Sequence, residues 1–500
     1  MAASSPYRNV LLLCSDEHDP RHAGFMGSRV VRTPNFDRLA ARGSVFTHAY
    51  TPSPICVPAR ASLATGRWVH DHRCWDNAIA YAGEQPSWAH RLRAAGRGVE
   101  SIGKLHYRSG EDDTGFERQT EAVHIVGGTG QVWGCVRDPL PEKGGGAGLF
   151  RKLGAGESDY NRFDRRVAEG SIAWLQARAE LGAEGRAARP ALLFAGFVAP
   201  HFPLVVPQHW LDLYPPQSLP WPKLRPESGY VRHPWVERQA RFNELDAQLG
   251  TDERRRLAMA SYFGLISFID DQIGRVLTAL EDLGLADETL VVYLSDHGDN
   301  LGTRGLWNKS TLYRESTGVP LVLAGPGIPQ RAVTTNATLV DLFPTVLDAL
   351  SVPRAAADAG LPGHSLVDLA QRPDFERSAF AEYHAIGSPS GGFMLAHGRY
   401  KYHHYVGYAP ELFDLVDDPE ETTDLGNLRS YQAVRQDMER RLRAIVDPDA
   451  ADRLAKDDQN ALVERCGGRE AVLGMDRFGA TPVPGSMAAG KNDNDAKGER

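Results

Sequence analysis

Cysteine is scarce in this sequence, and none of its cysteines forms a C-x-x-C pair. The cysteines among its 500 residues are Cys14, Cys56, Cys74, Cys135 and Cys466. Their odd number and wide scatter argue against a disulfide framework, a cysteine zinc site or a dithiol redox motif. The sequence therefore predicts free thiols in a reducing compartment.

Long apolar runs and an excess of basic charge are missing too. The amino-terminal apolar run, VLLLC at 10–14, soon meets acidic residues, whereas a membrane-spanning helix needs about 20 apolar residues and a secretory signal needs a longer apolar region. With 56 basic and 64 acidic side chains the net charge is -8, which argues against a nucleic-acid partner. We expect a cytoplasmic protein with no membrane and no nucleic acid as partner.

Short apolar runs that end in polar residues predict the fold. NVLLLC at 9–14, the run at 191–203 and the run at 289–300 indicate buried parallel strands, and RTPNFDRLAARG at 32–43 predicts a helix with Thr33 as its N-cap. Residues 253–282 show helical apolar spacing. The fold class is α/β, with a mainly parallel sheet flanked by helices.

The chain divides by composition into three predicted parts. Residues 1–375 form the main domain, 376–450 a smaller carboxy-terminal α+β unit, and 451–500 a partly disordered tail, because 481–500 has few apolar residues to bury. The stretches 110–160 and 205–250 are rich in Gly, Pro and Trp without clear periodicity. We expect both to be long loops that shape a pocket.

Two acidic pairs follow predicted strands that lie far apart in the sequence. Asp16 and Glu17 follow the first strand, and Asp296 and His297 follow the run that begins at 289. Because the carboxyl ends of parallel strands share one edge of the sheet, the four side chains are expected to converge there. Oxygen ligands with at most one imidazole suit Ca²⁺ or Mn²⁺ better than zinc. Either pair taken alone is equally explained as strand-end capping.

Cys56 lies at a predicted helix start. Pro58 follows it, and Arg60 points back towards it from one turn further on. Three interpretations of Cys56 remain open on these residues: core packing, a thiolate nucleophile, and a cysteine that is converted into another group. The polar, turn-like surroundings disfavour core packing.

The segment CVPARASLATG at 56–66 resembles the signature of the sulfatase family. Matching positions are Cys56, Pro58, Arg60, Thr65 and Gly66. A second family segment is recognisable in GRGVESIGKLH at 96–106, where Arg97 and Val99 replace the usual tyrosine and threonine; the positions that agree are Gly96, Ile102, Gly103, Lys104 and His106. PHFP at 200–203, SDHG at 295–298 and NKSTLYRESTGVPL at 308–321 resemble further landmarks in the same order.

This resemblance implies an alkaline-phosphatase-like fold and a metal site. The implied metal ligands are Asp16, Glu17, Asp296 and His297 together with Cys56, and the implied ion is Ca²⁺, with Mn²⁺ as the alternative. Glu17 stands where the family more often has aspartate, asparagine or glutamine. His297 stands where many members have asparagine, as in the choline-sulfatase-like and phosphonate monoester hydrolase branches.

The resemblance also implies that a separate maturation enzyme converts Cys56 to formylglycine. The hydrated aldehyde has two hydroxyls, one to attack sulfur and one to expel sulfate. Lys104 and Lys309 would then clamp the sulfate oxygens, and Arg60 would orient the diol. By resemblance His106 helps to decompose the sulfated diol and His201 faces the leaving group.

The predicted activity is hydrolysis of a small alkyl or aryl sulfate. The alternatives are a phosphonate monoester or phosphodiester hydrolase with the same site, and a non-catalytic protein that binds sulfate esters. The expected partners are a small-molecule sulfate ester and the maturation enzyme, and a homo-oligomer is compatible with the sequence. Four tryptophans in the predicted loops are candidate contacts for an aryl or quaternary ammonium group: Trp133, Trp210, Trp221 and Trp235.

Overall fold

The computed structural model describes residues 6–144, 148–372, 375–475 and 481–486. The strands are β1 (Asn9–Asp16), β2 (Gly43–Phe46), β3 (Ala49–Tyr50), β4 (Gly98–Lys104), β5 (Arg118–Val123), β6 (Gly154–Ala155), β7 (Ala191–Pro200), β8 (Val205–Val206), β9 (Thr289–Ser295), β10 (Leu321–Ala324), β11 (Arg331–Val333), β12 (Ala337–Thr338), β13 (Ala379–Tyr383), β14 (Gly392–His397), β15 (Tyr400–Tyr405) and β16 (Glu411–Asp414).

The helices alternate with these strands through most of the chain. They are α1 (Pro34–Ala40), α2 (Cys56–Thr65), α3 (Val69–His72), α4 (Trp88–Ala94), α5 (Asp159–Glu180), α6 (Gly182–Ala188), α7 (Gln208–Leu211), α8 (Pro234–Asn243), α9 (Leu245–Leu249), α10 (Asp252–Asp282), α11 (Arg314–Thr317), α12 (Leu342–Ala349), α13 (Leu366–Gln371), α14 (Gln432–Arg443), α15 (Pro448–Arg465) and α16 (Gly468–Leu473). Among the described residues, no helix combines the length and apolar character needed to cross a membrane.

A large sheet runs through the middle of the main domain in the order β11-β2-β10-β9-β1-β7-β4-β5. Its pairings from β9 to β5 are parallel, whereas β10 is antiparallel to both β9 and β2. The predicted mainly parallel α/β fold is thereby confirmed. The first two strands of the chain are not neighbours, however, since β9 and β10 lie between β1 and β2.

Helices cover both faces of this sheet, which explains why its central strands are apolar throughout. Alternate residues of β1 point to opposite cores: Leu11 and Leu13 pack with α5 and α10, whereas Val10 and Leu12 pack with α2, α4 and α12. β1, β7 and β9 are buried along their whole length. Sequences of this kind show continuous apolar runs instead of alternation.

A second, antiparallel sheet of order β13-β14-β15-β16 lies in the carboxy-terminal part, with α14 packed on it. The divisions at 375 and 450 stay predictions, but residues after 450 are not all a tail: α15 crosses position 451 and α16 follows it. Residues 481–486 are also described, and Val483 is buried. The remaining part of the predicted tail, 476–480 and 487–500, lies outside the described residues.

The loop prediction for 110–160 and 205–250 was wrong in part. The first stretch contains β5, an edge strand of the large sheet, and the second contains α8 and α9. β5 is largely polar and half-exposed, so no apolar alternation marks it. α8 is amphipathic, but it is only ten residues long and starts at Pro234.

Candidate functional site

Four neighbouring parallel strands, β9, β1, β7 and β4, end at one edge of the large sheet. Asp16 is the last residue of β1, and Asp296 follows β9 directly. Lys104 is the last residue of β4, and His201 follows β7. The sheet thus brings together side chains that are up to 280 residues apart, as the predicted convergence required.

Asp16, Cys56, Asp296 and His297 form a buried group whose potential ligand atoms all lie within 4.8 Å of one another. The Nε2 atom of His297 is 3.2 Å from Cys56 Sγ and 3.8 Å from Asp16 Oδ1. The same Nε2 is 3.7 Å from Asp296 Oδ1. Two carboxylates, one imidazole and the side chain of residue 56 therefore surround one small volume.

The tautomer of His297 is fixed by its backbone neighbour. The carbonyl oxygen of Gly298 lies 3.1 Å from Nδ1 of His297, and because a carbonyl can only accept, Nδ1 carries the hydrogen. Burial lowers the pKa of His297, so the ring is neutral and the Nε2 lone pair faces the carboxylates. This is the form of histidine that binds metal ions.

Glu17 lies beside this group and belongs to a second, overlapping one with Asp16 and His201. Its Oε1 atom is buried and has no hydrogen-bond partner among the described residues. Burial raises the pKa of Glu17 to about 8, although the charge of Lys309 opposes this rise. A buried carboxylate oxygen that accepts no hydrogen bond, such as Glu17 Oε1, is suited to coordinate a hard cation.

Arg60 joins the two aspartates to the end of β4. Its Nε donates to Asp296 Oδ2 at 2.7 Å, its Nη2 to Asp16 Oδ2 at 3.0 Å, and its Nη1 to the carbonyl of Lys104 at 2.7 Å. Lys104 Nζ lies 2.6 Å from Asp16 Oδ2. Burial would raise the pKa of Asp16, but the charges of Lys104 and Arg60 help to hold it well below its usual range. Asp16 is therefore ionised, and the hydrogen bonds from Arg60 orient both aspartates.

Cys56 is the first residue of α2 and is 1% exposed. Lys309 Nζ donates to Cys56 Sγ at 3.3 Å and to Glu17 Oε2 at 3.0 Å. Burial and the nearby charge of Asp16 raise the pKa of Cys56 to about 12. An unmodified Cys56 is therefore a protonated thiol at neutral pH, which disfavours the interpretation as a thiolate nucleophile.

Both predicted proton-transfer histidines lie at this edge of the sheet. Nδ1 of His201 donates to the carbonyl of Phe202 at 2.6 Å, and Nε2 of His201 is 3.5 Å from Glu17 Oε2. Nε2 of His106 is 3.0 Å from Thr481 Oγ1. Burial and the charge of Lys104 hold the pKa of His106 well below its usual value, so its ring is neutral.

Comparison with known sequences decides the family. The sequence profile of the sulfatase family matches residues 8–352, and that of the carboxy-terminal part of N-sulphoglucosamine sulphohydrolase matches residues 302–447. The chain belongs to the sulfatase family. Its membership indicates a sulfuric ester hydrolase and confirms the resemblance seen in the sequence.

Similar proteins span nearly the whole chain. Arylsulfatase K of Danio rerio is 29% identical over 472 residues, covering 88% of this chain and 84% of the relative. Choline-sulfatase of Rhizobium meliloti (strain 1021) is 29% identical over 443 residues, covering 83% and 82%. The phosphonate monoester hydrolase of Agrobacterium radiobacter superposes with a TM-score of 0.68 at 24% identity, covering 87% of this chain and 95% of that one. The last likeness supports the fold alone.

The local backbone of this sulfatase explains one of its motif residues. Gly103, in the segment IGK, has φ +94, and a Cβ there would lie 2.1 Å from the carbonyl oxygen of Gly196 on β7. Only glycine fits this close approach. Non-glycine residues with positive φ also occur at the site, namely Glu17, His106, Asn308 and Ser310. Such conformations cluster at functional sites.

A cavity of about 80 Å³ in this sulfatase is lined in part by Cys56. Its lining also includes the basic side chains of Lys104, His106, His201 and Lys309. Its other lining residues are uncharged. The apolar ones include Trp133, Leu149, Phe202, Leu245, Trp307 and Ile386, and the polar ones include Asn77, Gln131, Asn243 and Thr481. No carboxylate lines it among the described residues.

Of the four tryptophans predicted as substrate contacts, Trp133 lines this cavity. Trp235 is fully buried near the second sheet, Trp210 packs against the main core, and Trp221 stacks between Arg225 and Arg256. Trp307 and Thr481 also line the cavity, and neither was predicted from the sequence. Trp307 directly precedes the NKS segment, which is the signal that would have found it, whereas no local signal marks Thr481.

Proposed function

We propose that this chain hydrolyses a small alkyl or aryl sulfate by means of one divalent metal and a formylglycine made from Cys56. The position of Cys56 carries the proposal. It opens α2 in register with the family signature, beside Asp16, Asp296 and His297, and 3.3 Å from the ammonium of Lys309. A buried thiol with a raised pKa is unsuited to nucleophilic attack, which supports conversion.

Asp16, Asp296 and His297 would hold the metal, with Glu17 as a further oxygen ligand and residue 56 facing the ion. The oxygen-rich donor set supports Ca²⁺, with Mn²⁺ as the alternative. A divalent ion there would lower the pKa of a hydroxyl on residue 56 and offset negative charge on the transferred group. Formylglycine, when hydrated, would supply one hydroxyl to accept the sulfuryl group and a second to release it.

The side chains around Cys56 have distinct proposed roles. Lys309 and Lys104 line the cavity beside Cys56 and would bind the sulfate oxygens. Arg60 donates its hydrogen bonds to the two aspartates and to the carbonyl of Lys104, so we assign it to hold the two aspartates instead of contacting the diol. His106 is a neutral imidazole that would accept a proton from the diol, whereas His201, whose Nδ1 hydrogen is donated to Phe202, would give a proton to the leaving group only after its Nε2 has taken one up.

Burial of Cys56 limits when it could be converted. At 1% exposure in the folded chain, its side chain is closed to another enzyme's active site. We therefore propose that a maturation enzyme acts before α2 packs into the domain. All five cysteines are free thiols, which supports synthesis in a reducing compartment such as the cytoplasm.

The residues that line the cavity favour a sulfate ester whose alcohol part is compact and uncharged. Trp133, Phe202 and Trp307 offer aromatic surface, and a quaternary ammonium would find no carboxylate among the described lining residues. We expect p-nitrophenyl sulfate to be hydrolysed with a higher kcat/KM than choline sulfate. The opposite order would reject this choice of alcohol while leaving the sulfatase activity intact.

The alternative substrate class is a phosphonate monoester, because His297 resembles the phosphonate monoester hydrolase branch as well as the choline-sulfatase-like branch. Steady-state kinetics of metal-loaded, matured enzyme on p-nitrophenyl sulfate and on a matched phenyl phosphonate monoester separates the two. We expect a higher kcat/KM for the sulfate. A large preference for the phosphonate would replace the proposal, and tight binding of both esters without turnover would support a binding protein.

A further inference from the structure

The segment 481–486 comes from the carboxy-terminal part of the described chain, and it reaches the candidate site through Thr481. Thr481 lines the same cavity as Cys56, Lys104 and His201. Its hydroxyl oxygen is 3.0 Å from Nε2 of His106, across 375 residues of sequence. No other side-chain hydrogen bond of Thr481 is seen among the described residues.

Three contacts that do not involve the Thr481 hydroxyl hold this segment in place. The hydroxyl of Tyr160 on α5 donates to the carbonyl of Thr481 at 2.7 Å. Arg166, also on α5, donates through Nη2 to the carbonyl of Pro484 at 2.7 Å. Val483 is 4% exposed and packs into the core around α5 and α10. The hydroxyl is therefore presented to His106 by an independently anchored backbone.

His106 needs such a partner, because little else orients its ring. Its backbone has φ +60, and its N–H donates to the carbonyl of Val123 at 2.8 Å. Its Nδ1 is buried without a hydrogen-bond partner among the described residues. In a neutral imidazole one nitrogen donates and the other accepts, so a hydroxyl that accepts from Nε2 leaves the Nδ1 lone pair free for a proton.

We propose that Thr481 is a positioning residue for His106: its hydroxyl accepts the Nε2 hydrogen, fixes the ring plane and leaves Nδ1 as the proton acceptor. This inference rests on the proposed function, in which His106 transfers a proton during turnover. Thr481 acts through His106 and contributes no charge to the substrate site. The carboxy-terminal segment is then part of the active site, not a tail beside it.

The variants Thr481→Val and Thr481→Ser test this inference in the full chain. Valine keeps the shape and removes the hydroxyl, so we expect kcat for p-nitrophenyl sulfate to fall about tenfold, a part of what a general acid or base contributes, with KM unchanged. Serine restores the hydroxyl and should restore kcat. Thr423→Val, which alters an exposed threonine elsewhere, should match the wild type.

A second measurement is independent of turnover. In ¹⁵N-histidine-labelled protein, the His106 resonances should report a hydrogen on Nε2, and Thr481→Val should shift them while Thr481→Ser and Thr423→Val do not. An unchanged kcat and unchanged resonances in Thr481→Val would overturn the inference, as would a rise in KM alone. If the wild type hydrolyses no sulfate ester but the resonances shift as expected, the proposed function fails and the Thr481 contact stands.

Discussion

Lys309 is the residue whose charge lies closest to the proposed chemistry, since its Nζ reaches both Cys56 Sγ and Glu17 Oε2. Burial opposes its charge, but the acidic side chains around it, Glu17, Asp16 and Asp296, raise its pKa above the ordinary value. It is therefore a buried ammonium ion that lines the cavity. A preorganised cation of this kind stabilises charge that develops in a transition state.

We predict that Lys309→Met lowers kcat for p-nitrophenyl sulfate by about 100-fold, the usual loss when one such donor is removed. The matched control is Lys143→Met, because Lys143 is exposed and paired with Glu244 on the surface. Steady-state kinetics of both variants checks the prediction, with thermal unfolding as a test of folding. An unchanged kcat in a folded Lys309→Met protein would remove Lys309 from the mechanism.

The residues of the site differ in how far the sequence predicts them. Asp16, Asp296 and Cys56 follow strand ends or open a helix, so local pattern and parallel topology place them together without the structure. Thr481 has no such signal, because its contact with His106 depends on how a distant segment packs on α5. Arg60 was predicted near Cys56, but the aspartates that it contacts were apparent only from the structure.

At the scale of elements, α3 and β13 are joined by a buried ion pair that connects the second sheet to the main domain. Glu382 Oε1 accepts from His70 Nδ1 at 2.8 Å, and Glu382 Oε2 lies 3.1 Å from His384 Nε2. Burial would lower the pKa of His70, but the charge and hydrogen bond of Glu382 raise it to about 9. His70 and His384 hold the pKa of Glu382 well below its usual value, against burial.

The pKa shifts of His70 and Glu382 determine how the stability of the fold changes with pH. The raised pKa of His70 stabilises the fold fully below its ordinary value of 6.5, and this contribution is lost as pH rises through about 9. The lowered pKa of Glu382 stabilises the fold above its ordinary value of 4.5, and this contribution is lost as pH falls. The pair is therefore most stabilising between these two ordinary values.

We predict that Glu382→Gln lowers stability by about 3 kcal/mol between those pH values, because it leaves a buried charged partner unpaired. The loss should shrink above pH 9, where His70 is neutral in both proteins. Thermal unfolding across this pH range measures it, with the exposed Glu184→Gln as the control. A loss that does not vary with pH would show that packing, not the ion pair, is responsible.

Strands that are buried along their whole length were predictable from the sequence, whereas a half-exposed strand such as β5 was not. The apolar runs of β1, β7 and β9 are covered by helices on both faces, so composition alone reveals them. β5 is an edge strand with mostly polar residues, so its sequence does not indicate a strand. Its pairing with β4 identifies it in the structure. The order of the strands in the sheet was not predictable from the sequence either, because β10 lies antiparallel between β9 and β2.

At the scale of the whole molecule, a metal ion in the proposed site would couple ion binding to stability. Asp16, Glu17 and Asp296 are completely buried acidic residues from two strand ends, and an ion among them would bind the folded chain alone. Such binding stabilises a protein by about 2.7 kcal/mol when the free ion is at 100 times its dissociation constant. The sheet edge is thus expected to be a stability determinant as well as a site of chemistry.

We predict that excess Ca²⁺ raises the unfolding temperature relative to the same protein in EDTA, and that Asp296→Asn abolishes this rise. Asp358→Asn is the matched control: it removes a buried aspartate that pairs with Arg91, so it should weaken the fold but keep the response to Ca²⁺. Differential scanning calorimetry checks both. A wild type that responds to neither Ca²⁺ nor Mn²⁺ would contradict the assigned metal site.

The measurement that tests the central claim most directly is the mass of the tryptic peptide 43–60 in active enzyme, set against its specific activity. Across preparations made with and without an aerobic maturation enzyme, we predict that activity towards p-nitrophenyl sulfate rises in proportion to the fraction of peptide in which Cys56 has lost its sulfur and gained an aldehyde. Because Cys56 is buried, maturation enzyme added after folding should change neither quantity. Full activity in protein whose Cys56 is demonstrably still a thiol would contradict the account.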